Sequence, residues 1–554
     1  MYLKPAALAL LASIPLAAFA QAPDRPGMPA AKVDTAPALD GDVLGDPVWR
    51  TIDPQTEFIQ NTPDDGLPAS QKTELRLAYT SDAVYVSFVC YDDPAAIIVS
   101  DARRDSGLDE TDGVKFIFDT YRDGQNGFVF GTNPAGMEYD GQLSKGDSGS
   151  SFGFAGGGFN LNWDGVWDVR TEVGDYGWSA EFRIPLKTIR YPSEDVQDWG
   201  ANFERRIQRR HEVAYWAPLG RQYNITRLAD AGVLSGLEIG SQRNLKIVPY
   251  VLGELTDVGD AGTDTDGEFG IDIKYSINPS LTLDLTYNTD FAQVEADELQ
   301  ISLDRFNLFF PEKRPFFLEN AGLFTVGRSR QVELFFSRRI GLSDDGEIIP
   351  INAGARLSGA MLGANVGLMY MQTDDLAGVA SSTGFGVARV NKELPNRSSI
   401  GAVLVDKSVS GNKFPGENDN RTWGVDGRWG IGEYGQLTGY VAQTDTPGLD
   451  GDDFSWSLGG TWDSPDWSLG LTMVDVEENF NPEVGFINRS GGYENLAVRA
   501  LRRYRFGPES SLLELRPHFS YTSYLDQQGF KESGFLHIDN HTEWKNGYEV
   551  HTGI

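Results

Sequence analysis

Leu281-Thr282-Leu283-Asp284-Leu285-Thr286-Tyr287 is the stretch on which the reading of the fold turns. Successive strand residues point to opposite faces, so Leu281, Leu283, Leu285 and Tyr287 share one side, and Thr282, Asp284 and Thr286 the other. The same grammar returns downstream. Phe454, Trp456 and Leu458 alternate with Ser455, Ser457 and Gly459; Leu513, Leu515, Phe519 and Tyr521 alternate with Glu514, Arg516, Ser520 and Thr522. A soluble sandwich alternates in the same way, so the pattern alone leaves both architectures open. Three features favour a transmembrane barrel over residues 242–554. The segments recur over this whole length, and Trp423, Trp429, Trp456, Trp462 and Trp467 crowd their ends as girdle aromatics would. Charge collects in turns and on the polar faces, and closing the sheet removes strand edges that lipid cannot hydrate.

Upstream, residues 37–241 read as a compact antiparallel β-sandwich. Glu74–Tyr79 and Ala83–Tyr91 are β-forming runs flanking the turn cluster Thr80-Ser81-Asp82. Gly113–Asp119, Val166–Glu172, Gly177–Ile184 and Ala201–Arg210 follow at sandwich-like spacing, with no amphipathic helix among them. Gly146–Gly158 is Gly/Ser/Phe-rich and reads as a loop. The predicted fold class is therefore all-β: an N-terminal sandwich followed by an antiparallel transmembrane β-barrel.

Composition removes several functions. The chain of 554 residues carries 80 acidic and 47 basic side chains, a net charge of −33, which repels nucleic-acid phosphates. Lone Cys90 excludes an internal disulfide framework, and five histidines supply few metal cages. Residues 1–20 read as a secretory signal: Lys4, an apolar run over Ala6–Leu16, and small residues Ala18 and Ala20. Residues 21–36 are a Pro/Ala-rich lead-in. The expected location is a Gram-negative-type outer membrane.

Leu39-Asp40-Gly41 with Asp46 and Trp49, Asp112-Gly113-Val114-Lys115-Phe116, Gly177-Trp178-Ser179-Ala180-Glu181 and Ile184-Pro185-Leu186 together resemble the family 9 carbohydrate-binding module. Asn288-Thr289-Asp290-Phe291-Ala292-Gln293-Val294-Glu295-Ala296-Asp297, Phe309-Phe310-Pro311-Glu312-Lys313-Arg314-Pro315-Phe316-Phe317-Leu318-Glu319 and Leu334-Phe335-Phe336-Ser337-Arg338-Arg339-Ile340-Gly341 look like the DUF5916 family of outer-membrane-type barrels. The first resemblance implies sugar binding without cleavage, often with calcium; some members of the second are labelled membrane-associated hydrolases. Barrels of this kind commonly end in an aromatic residue, whereas this chain ends His551-Thr552-Gly553-Ile554, so a barrel truncated at its C-terminus is expected.

Sugar recognition needs flat apolar faces and a few fixed polar groups. Asn162, Trp163, Asp164 and Trp167 supply that mixture in one stretch, with Tyr121 and Trp178 as further glycan-binding candidates; the competing reading places Trp167 and Trp178 in the core. Asp109, Glu110 and Asp112 offer oxygen ligands for a structural calcium, although solvated turns explain most such acids. No cofactor is required, and no nucleophile or carboxylate pair stands out for catalysis. His537, Asp539 and His541 share a strand face, but neighbours there splay by ~7 Å, and a polar barrel interior explains them better than a metal. Residues 296–324 interrupt the strands; Leu299, Leu303 and Phe306 suggest a short helix ended by Pro311, within an ion-paired plug. Arg205-Arg206 and Arg209-Arg210 read as a solvated strand face or a dock onto the barrel. The leading expectation is capture of a poly- or oligosaccharide at the envelope, with outer-membrane lipid around the barrel. The alternatives are a membrane-associated glycoside hydrolase and a transport or assembly protein whose sandwich docks without binding sugar.

Overall fold

The computed structural model describes residues 25–144, 158–240, 244–257, 263–288, 305–343, 346–411 and 417–554. The expected signal segment 1–20, the glycine-rich stretch 146–157, the boundary at 241–242 and the first part of the expected plug helix lie outside these. Among the described residues no helix is long and apolar enough to cross a membrane, which says nothing of strands.

The N-terminal part is a sandwich of a nine-stranded and a five-stranded sheet. Ala83–Tyr91 pairs with Thr73–Tyr79 on one side and Gly177–Pro185 on the other, in the smaller sheet. Gly113–Asp119 lies between Gln197–Ile207 and Gly127–Thr132 in the larger. Inward residues of the two meet as aromatic pairs: Phe116 sits edge-on to Phe182 at 5.0 Å, and Phe88 lies 6.1 Å from Phe203. Gly127–Thr132 is buried on both faces, so it carries no alternation and gave no strand signal.

Four of the residues behind the first resemblance, Asp40, Gly41, Trp49 and Glu181, meet on the outer face of the smaller sheet. Glu181, buried, accepts the Trp49 indole N–H at 2.7 Å and the backbone N–H groups of Asp40 and Gly41 at 3.0 and 2.7 Å. Gly41 has φ +95°, and a Cβ there would lie 2.8 Å from the Thr171 backbone, so only glycine fits the turn. This motif staples the segment 39–49 to the sheet.

The second part is a sixteen-stranded, antiparallel up-and-down sheet running from Leu245–Asp257 to Glu549–Gly553; its first and last strands do not pair. Its faces are inverted relative to a soluble protein. Val425, Val441, Leu458, Leu469 and Leu471 project outward and are 42–56% exposed. The opposite face buries Arg356, Arg389, Asn391, Asn420, Thr422 and Ser455. The inner face is mixed, with these polar groups beside buried apolar residues such as Val387 and Val405, but water would not select so apolar an outer face, whereas a hydrocarbon surround does. The indoles divide the same way. All six of the sandwich (Trp49, Trp163, Trp167, Trp178, Trp199, Trp216) are buried, while Trp423, Trp429, Trp462 and Trp467 on the outward face are 39–64% exposed.

Residues 305–343 fill the inner side of this sheet. Pro315–Leu318 and Ala321–Phe324 are short helices, and Gly327–Arg328, Val332–Glu333 and Phe486–Ile487 make a small separate sheet. Among the described residues helix forms beyond Pro311; Leu299 and Leu303 of the expected helix lie outside these, and Phe306 is in a bend. Phe317, Phe324, Val332 and Leu334 pack in one cluster with Met371, Val387, Val405, Tyr440 and Val474 of five different strands. The plug thus occupies a lumen walled by the long sheet. Arg314 locks it internally, donating to the Glu312 carboxylate at 2.7 and 2.8 Å, to Ile340 O at 2.6 Å and to Ser337 O at 2.7 Å. Buried Arg356 ties it to the wall, bonding Asp284 at 2.8 Å and Glu319 O at 2.9 Å.

Candidate functional site

The six glycan-binding candidates do not converge. Trp163 packs 5.3 Å from Phe128, Trp167 stacks on Phe182 at 5.8 Å, and Trp178 lies beneath the buried guanidinium of Arg205 at 5.1 Å. A ring covered on both faces offers no platform to a pyranose, which corrects the reading of these three as stacking residues. Asn162 and Asp164 flank Trp163 on an exposed turn. There Arg104, which the sequence did not single out, gathers Glu138, Asp140 and Asp164, each at 2.6 Å. Asp140 is fully enclosed, and burial pushes its carboxyl up to about 6.

The calcium candidates are also separated, because arginines and a glutamine already hold them. Arg206 pairs with Asp109 at 3.0 Å, Gln208 donates to Glu110 at 3.3 Å, and Arg205 faces Asp112 at 3.8 Å. Arg205 and Arg209 both turn to Asp92. These guanidiniums supply the positive charge that a calcium ion would bring, so this loop does not fit one. Arg205 is wholly buried, not part of a solvated strand face. Dispersed along the sequence, these pairings have no local signature.

Tyr121 alone leads to a site. It lines a chamber of about 90 Å³ between the sandwich, the plug and the long sheet. The sandwich contributes Tyr121, Gln142 and Arg190, the plug Asn320, and the long sheet Asn391 and Glu393. Gln142 donates to Asn320 at 3.1 Å, and Asn320 donates to Ser358 at 3.1 Å. Glu319 bridges Arg190 of the sandwich and Lys274 of the long sheet. Burial raises the Tyr121 phenol, keeping it a neutral donor. Asp123, on the chamber wall, accepts from Asn126 at 2.6 Å and from backbone N–H groups of its own turn. The chamber is therefore rich in amides, with its carboxylates already engaged. It has room for several waters or a small polar group.

The chamber's position follows from strand connectivity. Residues 279–280, 362–363, 395–397, 432–434, 464–466 and 545–548 are tight turns at one end of the long sheet, with 503–511 longer; 374–382, 446–453 and 477–492 are longer connections at the other, with 526–530 shorter. Every described contact of the sandwich with a turn falls at the tight-turn end. Tyr223 donates to Asp463 O at 2.9 Å, Arg227 to Glu433 O at 2.8 Å, Ser280 to Tyr191 O at 2.9 Å, and Lys545 pairs with Asp64 at 2.6 Å.

Fold and site define an all-β protein in two parts: a sandwich seated on one end of a plugged, barrel-type sheet. Residues 242–353 match the family described as "Domain of unknown function (DUF5916)", as the sequence resemblance implied. No curated protein matches the chain. Among solved structures, a family 9 carbohydrate-binding module from Caldicellulosiruptor kristjanssonii in complex with glucose aligns at 15% identity over 38% of this chain and 95% of its own, with a TM-score of 0.26. A putative carbohydrate-binding protein from Bacteroides uniformis aligns at 15% identity over 38% and 99%, TM-score 0.31. A triple mutant of the Rhodopseudomonas blastica porin aligns at 11% identity over 80% and 98%, TM-score 0.23.

Proposed function

We propose that this protein is an outer-membrane β-barrel whose sandwich and plug close the periplasmic mouth around a chamber for a small saccharide. Outer-membrane barrels have short periplasmic turns and longer extracellular loops, so a sandwich on the tight-turn end lies in the periplasm. The observation that carries the ligand class is the chamber itself: a phenol, amides and a guanidinium converge from three parts of the chain, the donor and acceptor set that hydroxyl-rich ligands use. Glucose, a single pyranose, is the first ligand to test. Calorimetry on the full chain in detergent should show saturable binding that Gln142→Ala weakens at least about tenfold, the loss of roughly one hydrogen bond to a buried group. No binding of glucose up to millimolar concentration would refute the saccharide reading.

A second reading is favoured by the burial of all six sandwich indoles. In it the sandwich is a periplasmic dock that seals the lumen and binds no sugar. Bilayer conductance of the intact protein with and without sugar discriminates: only the saccharide reading expects a response, whereas both expect Glu319→Ala, which cuts the bridge, to leak.

A further inference from the structure

Four of the five histidines in the chain meet on one patch of the long sheet, formed by Leu512–Leu525, Lys531–Trp544 and Glu549–Gly553. Spacing along one strand concealed this, because the partners come from neighbouring strands. Register sets His518 opposite Asp539 and His541 opposite His551. Ring centroids of His518 and His541 lie 5.1 Å apart, His518 and His537 5.3 Å, and His541 and His551 3.8 Å. The ligand atoms of His518, Asp539 and His541 all fall within 4.8 Å of one another, as do those of His541, Glu549 and His551.

We propose that His518, Asp539 and His541 bind a divalent transition-metal ion of the zinc type on the inner face of the barrel. Two of the three ligands are already oriented by a second contact. His518 Nδ1 donates to Arg516 O at 3.2 Å, which leaves its Nε2 lone pair free. Asp539 Oδ1 accepts the N–H groups of Asn540 at 2.6 Å and Thr552 at 3.0 Å, so Oδ2 is the oxygen turned to His541 Nε2, 2.9 Å away. Two imidazoles and one carboxylate suit zinc and its neighbours, whereas calcium and magnesium take oxygen ligands. The second triad is the lesser candidate, since Glu549 is held by Arg516 at 2.5 Å. A guanidinium there competes with a cation for the same oxygen.

The test uses the full chain in detergent, stripped with chelator and titrated with Zn²⁺ against a chromophoric chelator. One ion per chain is expected. His541→Ala and His518→Ala should each weaken it by about 100-fold or more, His551→Ala by less than about tenfold, and His211→Ala not at all. Substoichiometric binding by the wild type, or wild-type affinity in His541→Ala, would overturn the proposal. Loss in His551→Ala with retention in His518→Ala would overturn the choice of triad. Co²⁺ loading of the unmodified protein needs no variant to fold: visible d–d bands abolished by Zn²⁺ are expected, and their absence counts against the site.

Discussion

Replacing Asp140 by Asn tests the electrostatics of the sandwich at its most enclosed carboxylate. Asp140 has no exposed side-chain surface, and burial raises its carboxyl from 3.8 to about 6 despite the Gly165 N–H at 2.7 Å and the Arg104 guanidinium. The folded state therefore holds this proton more tightly than the unfolded chain does. The associated stability is fully present below pH 4 and is lost as the pH rises through about 6. The span from 3.8 to about 6, at about 1.4 kcal/mol per pH unit, corresponds to about 3 kcal/mol. Asn keeps an acceptor for Gly165 and removes the titration. The assay is urea unfolding of the full chain in detergent at pH 4 to 7, read by tryptophan fluorescence: the six sandwich indoles are buried, and the six downstream are common to both proteins and cancel in the difference. Because other carboxyls titrate too, the quantity of interest is the difference between the two proteins. Between pH 4 and 7 the wild type should lose about 2.4 kcal/mol more than Asp140→Asn, the remainder of the span lying below pH 4. Parallel profiles would refute a proton held by Asp140, as would a wild type that gains stability relative to the variant as pH rises.

Three further outcomes follow from the packing. Trp167→Ala removes an indole stacked on Phe182 and edge-on to Phe130 and should cost about 3–5 kcal/mol in the same urea assay, while Trp163→Phe leaves any sugar affinity within about twofold. Leu458→Arg places a charge on the outward face and should cost about 2–4 kcal/mol in lipid vesicles, measured by the unfolding midpoint; no loss would mean that this face does not meet hydrocarbon. Arg356→Met strands the Asp284 carboxylate behind the plug and should destabilise by about 3–5 kcal/mol, seen as a lower temperature for loss of the compact band on electrophoresis.

Strand existence and facing were legible wherever one side of a strand is apolar. Leu281–Tyr287, Phe454–Asp463 and Ala83–Tyr91 form as their sequences predict. Which face meets which medium was not legible from alternation alone, whose period is the same in a sandwich and in a barrel; the recurrence of the segments and the aromatics at their ends supplied it. The candidate site fared unevenly for a related reason. Tyr121 belongs to the chamber, but Gln142, Arg190, Asn320 and Asn391 join it from segments far apart in the chain, with no shared motif.

By itself, then, the sequence determined what is local: an all-β chain, sandwich first and long amphipathic strands after, with a segment around Pro311–Glu319 that breaks the strand pattern. Side-chain direction along a strand depends only on the residue's parity, so it can be read without the fold. Tertiary structure alone decided that Trp163 and Trp178 are core, that Arg205 stands where a cation was sought, and that His518 faces Asp539 across a strand pair. Those outcomes depend on which strands become neighbours, a property of pairing and packing that no stretch of the chain carries alone.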